Sequence, residues 1–571
     1  MKNVFILFFV MAFHATVCAQ KGSYTYFMKT WNFIKYYHPD FAEGKKDTDS
    51  LFLATIGKVN EKTDENTIIT LLSKGLSNTF TSAPVIDNPK DVLAVNQNFK
   101  WYQKNKKISS ENKILLNDIY NHRFVAETEK KDKQSDSKIN EFKKDENLSL
   151  AHRLLALAKL QGAIDYLYPH KYLMDKNADV YFSDLVDQTI HCTSRKDFEI
   201  ILAKVVSKME DTHSFRFYNE LNFKNEIFHR LYYPPFDYVI IKDHLLVTKL
   251  ILPEICSKAN IHVGDQITEV NGKNIREILK EKKELLSTSN PETFLYLISD
   301  FQKNLIWSDN LSRKSLKIQS KDKKTYLAET EFVNFTDKQQ LAIVTQYIHN
   351  KIRQKQQYTI DHKDIAYFKI NDAFAFTNNI PDDKLDEHMD SIFREASSKK
   401  AIVFDMRGYP DWGGFVFHYV YKYFSPVENH FGEYYKPNPK NVGTYIPISY
   451  DEFGTYYADI KNKTTHPYKG KVFMIVNPET LSMSEWNTMN LQNIFPQSKT
   501  IGQRTAGADG DIRIIKLPGG YNLEFTGNGI FYYDGSQTQK VGVRIDEFIE
   551  YSDDDIIQKR DLELDRILKD L

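Results

Sequence analysis

Ser482 and Glu485 are spaced as Ser-x-x-Glu between a buried-type stretch, KVFMIV (471–476), and a helical one. As structure, the pair reads as a capping box, with the Ser hydroxyl and the Glu carboxylate satisfying the first free N–H groups of the helix. As chemistry, it places a hydroxyl at a helix N-terminus, where the dipole and unpaired N–H groups favour the oxyanion of acyl transfer. A nucleophilic serine also needs a base. His213, in DTHSF (211–215), carries an imidazole whose ordinary pKa near 6.5 suits proton transfer at neutral pH. Gly413 and Gly414, in AIVFDMRGYPDWGGF (401–415), let a backbone N–H approach closely. TIGQRTAGADG (500–510) adds a loop after the next strand. Taken singly, Ser482 is more often a cap and His213 a satisfied core histidine; their joint occurrence is what points to chemistry.

These residues need a frame to hold them. From about Asp361 onward strands (IAYFKI, KAIVFDM, KVFMIV) alternate with helices (DDKLDEHMDSIFREASS, SEWNTMNLQNIF), an α/β layout with much parallel pairing. Before it, from Tyr232 to Val333, FDYVIIKDHLLVTKLI reads as strands around an Asp-His turn, and Gly264-Asp265 and Asn271-Gly272 read as further turns. Earlier still, residues 159–207 align without a gap on 29–77 at an offset of 130. Lys29, Ile34, Tyr36, Pro39, Asp49, Phe52, Leu72, Lys74 and Ser77 face Lys159, Ile164, Tyr166, Pro169, Asp179, Phe182, Leu202, Lys204 and Ser207. Each copy opens on an aromatic helix ended by Pro and closes on an amphipathic one, which reads as a duplicated helical module. At the same offset His213 faces Ala83, so only the second copy carries the base. Between the copies, 127–147 is dense in charge and poor in apolar residues, a linker or solvated helix.

The N-terminus, MKNVFILFFVMAFHATVCAQ, has one Lys, a short apolar run and small residues at Val17-Cys18-Ala19, the pattern of a cleaved secretory signal. Cys18 is the alternative, as a lipid acceptor. Cys192 and Cys256 then remain, too few for a disulfide framework or a Cys-based zinc site. Lys plus Arg and Asp plus Glu are both 76, so net charge gives no case for a nucleic-acid partner.

VGDQITEVNGKNI (263–275) resembles the Gly-Asp-x-Ile-x-x-Val-Asn-Gly pattern of PDZ domains. That stretch is followed by Asp405-Met406-Arg407 with Gly413-Gly414, then Ser482-Met483-Ser484-Glu485, then Gly502-x-x-Thr505-x-Gly507. The order resembles the C-terminal processing (tail-specific) serine peptidases over roughly residues 150–571, and WNFIKYYHP is similar to the N-terminal helices of secreted Bacteroidetes members. The resemblance implies a ClpP/crotonase-type core. It implies Ser482 as nucleophile, with Ser484 as runner-up, and Met483 and Gly413 as oxyanion-hole donors. Two extra residues, Asp411 and Trp412, precede the glycines. The processing peptidases place a Lys base where Ala508 stands here, so no Ser–Lys dyad forms. The tricorn-like branch uses a His after a hydroxyl residue, a pattern that Thr212-His213 matches. Its orienting Glu falls on Gln539; Asp509, Glu524 and Asp534 are alternatives.

The expectation is a multidomain α+β chain. It comprises a signal peptide (1–19), a helical module (20–126), a charged linker (127–147), a second helical module with His213 (148–230), a PDZ-like β domain (231–335) and an α/β peptidase core (336–571). The expected activity is that of a secreted or periplasmic serine endopeptidase acting on extended or C-terminal segments of peptides or unfolded proteins, without cofactor or metal. A catalytically impaired peptide-binding relative is the alternative. Peripheral membrane association follows only from lipidation at Cys18.

Overall fold

The computed structural model describes residues 22–78, 80, 82–86, 99–125, 142–143, 146–175, 178–355, 362–424, 432–448 and 467–571. The signal segment, and all of the charge run but residues 142, 143, 146 and 147, lie outside the described residues.

Helix starts in the first part are set by local side chains. Asp47, Asp64, Ser109, Ser149 and Ser194 each accept a backbone N–H at the head of Thr48–Ile56, Glu65–Ser73, Ser110–Asn121, Leu150–Gly162 and Arg195–Ser207. Leu150–Gly162 runs on as a π-helix, Ala163–Leu167, and stops ahead of Pro169, whose ring cannot continue it. The two aligned regions pack on each other. Tyr36 stacks on Tyr166 with ring centres 4.5 Å apart, and buried Lys159 pairs with buried Asp49 at 2.8 Å.

Residues 232–334 are antiparallel. β1 (Tyr232–Tyr233) pairs with a late strand of the same region, and β2 (Phe236–Ile241) turns at Lys242-Asp243 into β3 (His244–Leu250). β4 (Gln266–Val270) folds back as β5 (Lys273–Asn274) through Asn271 and Gly272, both at positive φ. β6 (Arg313–Gln319) and β7 (Thr325–Glu331) complete a sheet of order β2-β3-β4-β6-β7, and β8 (Val333–Asn334) closes onto β1. Cys256 is buried and Cys192 half-buried; both are free thiols.

The C-terminal part is built on β9 (Ile365–Lys369) and β10 (Ala401–Asp405). β11 (Gly432–Pro437) and β12 (Tyr445–Pro447) lead to β13 (Lys471–Val476) and β14 (Lys499–Gly502). The hairpin β15 (Ile512–Leu517) and β16 (Tyr521–Thr526) precedes β17 (Gly529–Tyr532) and β18 (Glu547–Phe548). The central sheet, β18-β14-β13-β10-β9, is parallel throughout. β10 is buried along its whole length, as expected of a strand in a sheet covered on both faces. Parallel pairing sends the loops after β10, β13 and β14 to one edge of the sheet, so residues 406–414, 477–482 and 503–511 meet there.

Candidate active site

Ser482 closes the loop after β13 and precedes the helix Met483–Ile494, with φ 54° and ψ −118°. A positive φ is costly for a residue with a Cβ. The turn aims the hydroxyl away from the helix, and the expected cap does not form: Ser482 makes no side-chain cap bond, and its Oγ faces the carbonyl of Gly510 at 3.4 Å. Glu485, fully buried, accepts instead from Thr505 Oγ1 (2.5 Å) and from the N–H groups of Gly507 (2.8 Å) and Ala508 (3.0 Å), and it also takes the Ser482 N–H. Burial raises its carboxyl to about 7 against these bonds. Glu485 therefore ties the loop after β14 to the serine turn.

The glycines of that loop have steric reasons. A Cβ on Gly502, at φ 139°, would meet the Val476 carbonyl oxygen at 2.0 Å, and one on Gly507, at φ 64°, would meet the Lys540 backbone at 2.9 Å. Ala508 is fully buried at the position where the resemblance marks a Lys.

Ser484 differs from Ser482 in burial and in how firmly its hydroxyl is held. It is fully buried in the helix, and its Oγ donates to the Met406 carbonyl at 3.0 Å. Thr480 Oγ1 donates to the same carbonyl at 2.8 Å. Both hydroxyls thereby fasten the serine turn to the loop after β10. In that loop Arg407 clasps Asp405 and reaches Asp561 at 2.7 Å, anchoring the C-terminal segment. Gly413 lies beside the head of the helix: a Cβ there would meet Met483 Cγ at 4.0 Å. Met483 is the first helical residue, so its N–H has no intrahelical acceptor. Asp411 accepts from the N–H groups of Ala373 (2.9 Å) and Phe374 (3.3 Å), which holds the loop's extra residues in place.

His213 enters from the other end of the chain. Asp211 caps the short helix Thr212–Asn219, which packs on β16. His213 is 5% exposed; Nδ1 lies 2.8 Å from Thr526 Oγ1, and Nε2 has no partner among the described residues. Burial lowers its pKa from the ordinary value; Asp211, Glu524 and Asp511 oppose the shift and Arg216 adds to it. Thr212 Oγ1 donates to the Ala506 carbonyl at 3.1 Å. The Thr212-His213 turn and Ser482 thus both meet the loop 505–510, the first at Ala506 and the second at Gly510, and Nε2 makes no bond to the serine.

The residue nearest to an orienting acid is Asp211, which the sequence reading did not single out. Its Oδ1 lies 3.6 Å from Nδ1 and accepts from Thr526 Oγ1 at 3.0 Å, while Oδ2 takes the Thr526 N–H at 2.6 Å. Gln539 lies not on the ring but on Asp211: its amide nitrogen is 3.5 Å from Oδ1, and its own carbonyl oxygen is buried without a partner. Asp509 is buried beside Glu485 with its carboxyl raised by burial, and it accepts the Gly510 N–H at 2.7 Å. Glu524 meets the short helix through its backbone carbonyl, which accepts from Ser214 Oγ at 2.7 Å. Asp534 is an exposed partner of Arg544 and Ser536. Asp-x-His is a local signal that spacing alone could have raised, because an N-cap carboxylate sits next to its own first turn. Thr526 has no such signal, being 313 residues from His213.

No curated protein matches the chain. Among solved structures it is similar to mature CPAF complexed with lactacystin (13% identity, 73% of this chain, 97% of that one, TM-score 0.48). It is likewise similar to a putative peptidase from Parabacteroides merdae (13%, 74% and 96%, 0.37) and to the photosystem II D1 C-terminal processing protease (13%, 73% and 99%, 0.32). The model of Peptidase family S41 matches residues 364–549, the stretch that contains Gly413, Ser482, Glu485 and the loop after β14. Residues 364–549 are a domain of peptidase family S41.

Proposed function

We propose that the chain is a secreted serine endopeptidase of the His-dependent, tricorn-like kind, cleaving extended or C-terminal peptide segments through an acyl-enzyme on Ser482. The observation that carries this reading is the contrast within one motif: Ser482 has a strained backbone, is only half-buried and donates a long 3.4 Å bond to the Gly510 carbonyl, whereas Ser484 is fully buried and held at 3.0 Å on the Met406 carbonyl. In the reaction Ser482 Oγ attacks the scissile carbonyl and its proton passes to His213 Nε2. The tetrahedral oxyanion takes N–H groups from Met483 and Gly413. The imidazolium returns the proton to the leaving amine as the C–N bond breaks, and water then enters by the same base to release the acid. Catalytic hydrogen bonds commonly tighten only around substrate, which accommodates the open distance between Nε2 and Ser482.

Two further roles belong to the same reading. The antiparallel region 232–334 serves as a PDZ-like module that captures substrate by adding a strand to its sheet. The two helical regions are copies of one module. Export to the periplasm or medium follows from the signal-like N-terminus.

A second reading, a peptide-binding relative without turnover, is favoured by the burial of His213 and by its unengaged Nε2. A fluorophosphonate probe followed by intact-mass measurement separates the two. The expected result is a single adduct on the native chain, kept by Ser484→Ala and lost in Ser482→Ala. A native chain that takes no label and cleaves no peptide sinks the peptidase reading.

A further inference from the structure

We propose that the hydroxyl of Thr526, held by Asp211, is the group that orients the His213 imidazole, so that the acid acts on the base through a threonine. The proposal rests on His213 being the general base.

Direction follows from a count of protons. Asp211 is surrounded by donors: the His213 N–H at 3.1 Å, the Thr526 N–H at 2.6 Å, the Thr526 hydroxyl at 3.0 Å and the Gln539 amide at 3.5 Å. A carboxylate so placed accepts only, so the single proton of the Thr526 hydroxyl points to Oδ1. What remains toward the ring is an oxygen lone pair, 2.8 Å from Nδ1. Nδ1 must then be the donor, and the neutral ring carries its proton there. Nε2 is left as a bare lone pair, buried and unpartnered, which is the form a base needs before it receives a serine proton. A direct Asp211–Nδ1 bond is not formed, since 3.6 Å exceeds a hydrogen bond.

The surroundings fit this division of labour. The charged groups facing the ring are Asp211, Glu524 and Asp511, which favour the imidazolium, and Arg216, which disfavours it; the buried ring of His170 is close enough to interact electrostatically. Gln539 gives Asp211 an amide donor; a glutamate there would set a second carboxylate against the first. Thr526 is fully buried at the end of β16. Its hairpin is fixed by Arg195, which donates to the Gly519 carbonyl at 2.7 Å, and by Glu199, which accepts from Tyr521 OH at 2.8 Å.

Asp211 also caps the short helix, so the test falls on Thr526. Thr526→Val keeps the shape and the backbone N–H and removes only the hydroxyl; Thr526→Ser restores it. Two quantities are measured on the full chain: the His213 tautomer by NMR of ¹⁵N-histidine-labelled protein, assigned with His213→Gln, and the pH profile of kcat on a peptide. The expected outcome for Thr526→Val is loss of the Nδ1–H tautomer, a kcat lower by about 10²-fold with KM unchanged, and an acid limb moved to lower pH. Thr526→Ser should keep the tautomer and return kcat to within several-fold. A Thr526→Val protein with the native tautomer overturns the proposal, whatever its kcat. A native chain that never turns over peptide defeats the peptidase reading alone, because the tautomer measurement still decides the relay.

Discussion

The two aligned helical regions end very differently. In the second, the segment after Arg195–Ser207 turns inward, and Asp211, Thr212 and His213 are buried against β16 and the loop after β14. In the first, the described residues 82–84 of the aligned segment are exposed, Ala83 among them, and their surroundings bond within the same region, Ser82 O to His122 Nδ1 at 2.8 Å and Val85 N to Asn121 O at 2.7 Å. The first region still touches the S41 domain, but at the β11–β12 turn. Tyr37 OH donates to the Val442 carbonyl at 3.0 Å, and Arg123 Nε donates to the Lys440 carbonyl at 3.0 Å. Similar helices thus serve one region as a carrier of His213 and the other as a brace. What separates them is which surface of the S41 domain each end meets.

The largest effect that would sharpen this comparison is on turnover. His213→Ala should cost on the order of 10⁶-fold in kcat with the fold intact. Adding Ala83→His to that variant should recover nothing, because the new ring stands at the surface of the brace. Recovery of turnover in the double variant would break the comparison.

The next effect is on stability. Arg195 and Glu199, both buried and 3.5 Å apart, bind the second region to the β15–β16 hairpin. Removing one charge leaves the other uncompensated, so Arg195→Ala should cost about 3–5 kcal/mol in denaturant unfolding. Arg123→Ala, in the brace, strands the Tyr120 and Lys440 carbonyls and should cost about 1–3 kcal/mol. Equal losses would mean that the two regions are docked alike.

A smaller difference appears with pH. His213 must be neutral to accept the serine proton, and burial lowers its pKa below the ordinary 6.5. Activity should persist as pH falls past 6.5 and fail only below it. Because the folded pKa is depressed, the stability His213 contributes is present above 6.5 and lost as pH falls through the folded value. Buried His38, in the first region, is lowered in the same direction, so it adds to acid unfolding without shaping the rate. A kcat profile whose acid limb lies at or above 6.5 would contradict the role given to burial. The smallest effect is Ala83→Asp, expected within about 0.5 kcal/mol of the native chain and with unchanged kcat.

What the sequence determined by itself is what short-range physics governs. Buried runs such as KVFMIV and AIVFD became strands of the parallel sheet, and the caps at Asp47, Ser149 and Ser194 set helix starts, because such bonds join residues only two or three apart. The glycines at 502 and 507 were legible only as part of the family motif, and the structure supplies the reason: no Cβ fits there. Ser482 was legible as a candidate nucleophile, but the Ser-x-x-Glu spacing that also reads as a capping box serves a strained turn equally well, and here the serine side chain makes no cap while Glu485 takes the loop after β14. The family resemblance ranks Ser482 ahead of Ser484, but the physical reason appears only when the Met406 carbonyl, from the loop after β10, takes the Ser484 hydroxyl. The contact of Thr526 with Asp211 and His213 was decided by tertiary structure alone. It depends on a helix from one end of the chain packing on a hairpin from the other, and buried polar groups find their partners by where packing brings them, not by their place in the sequence.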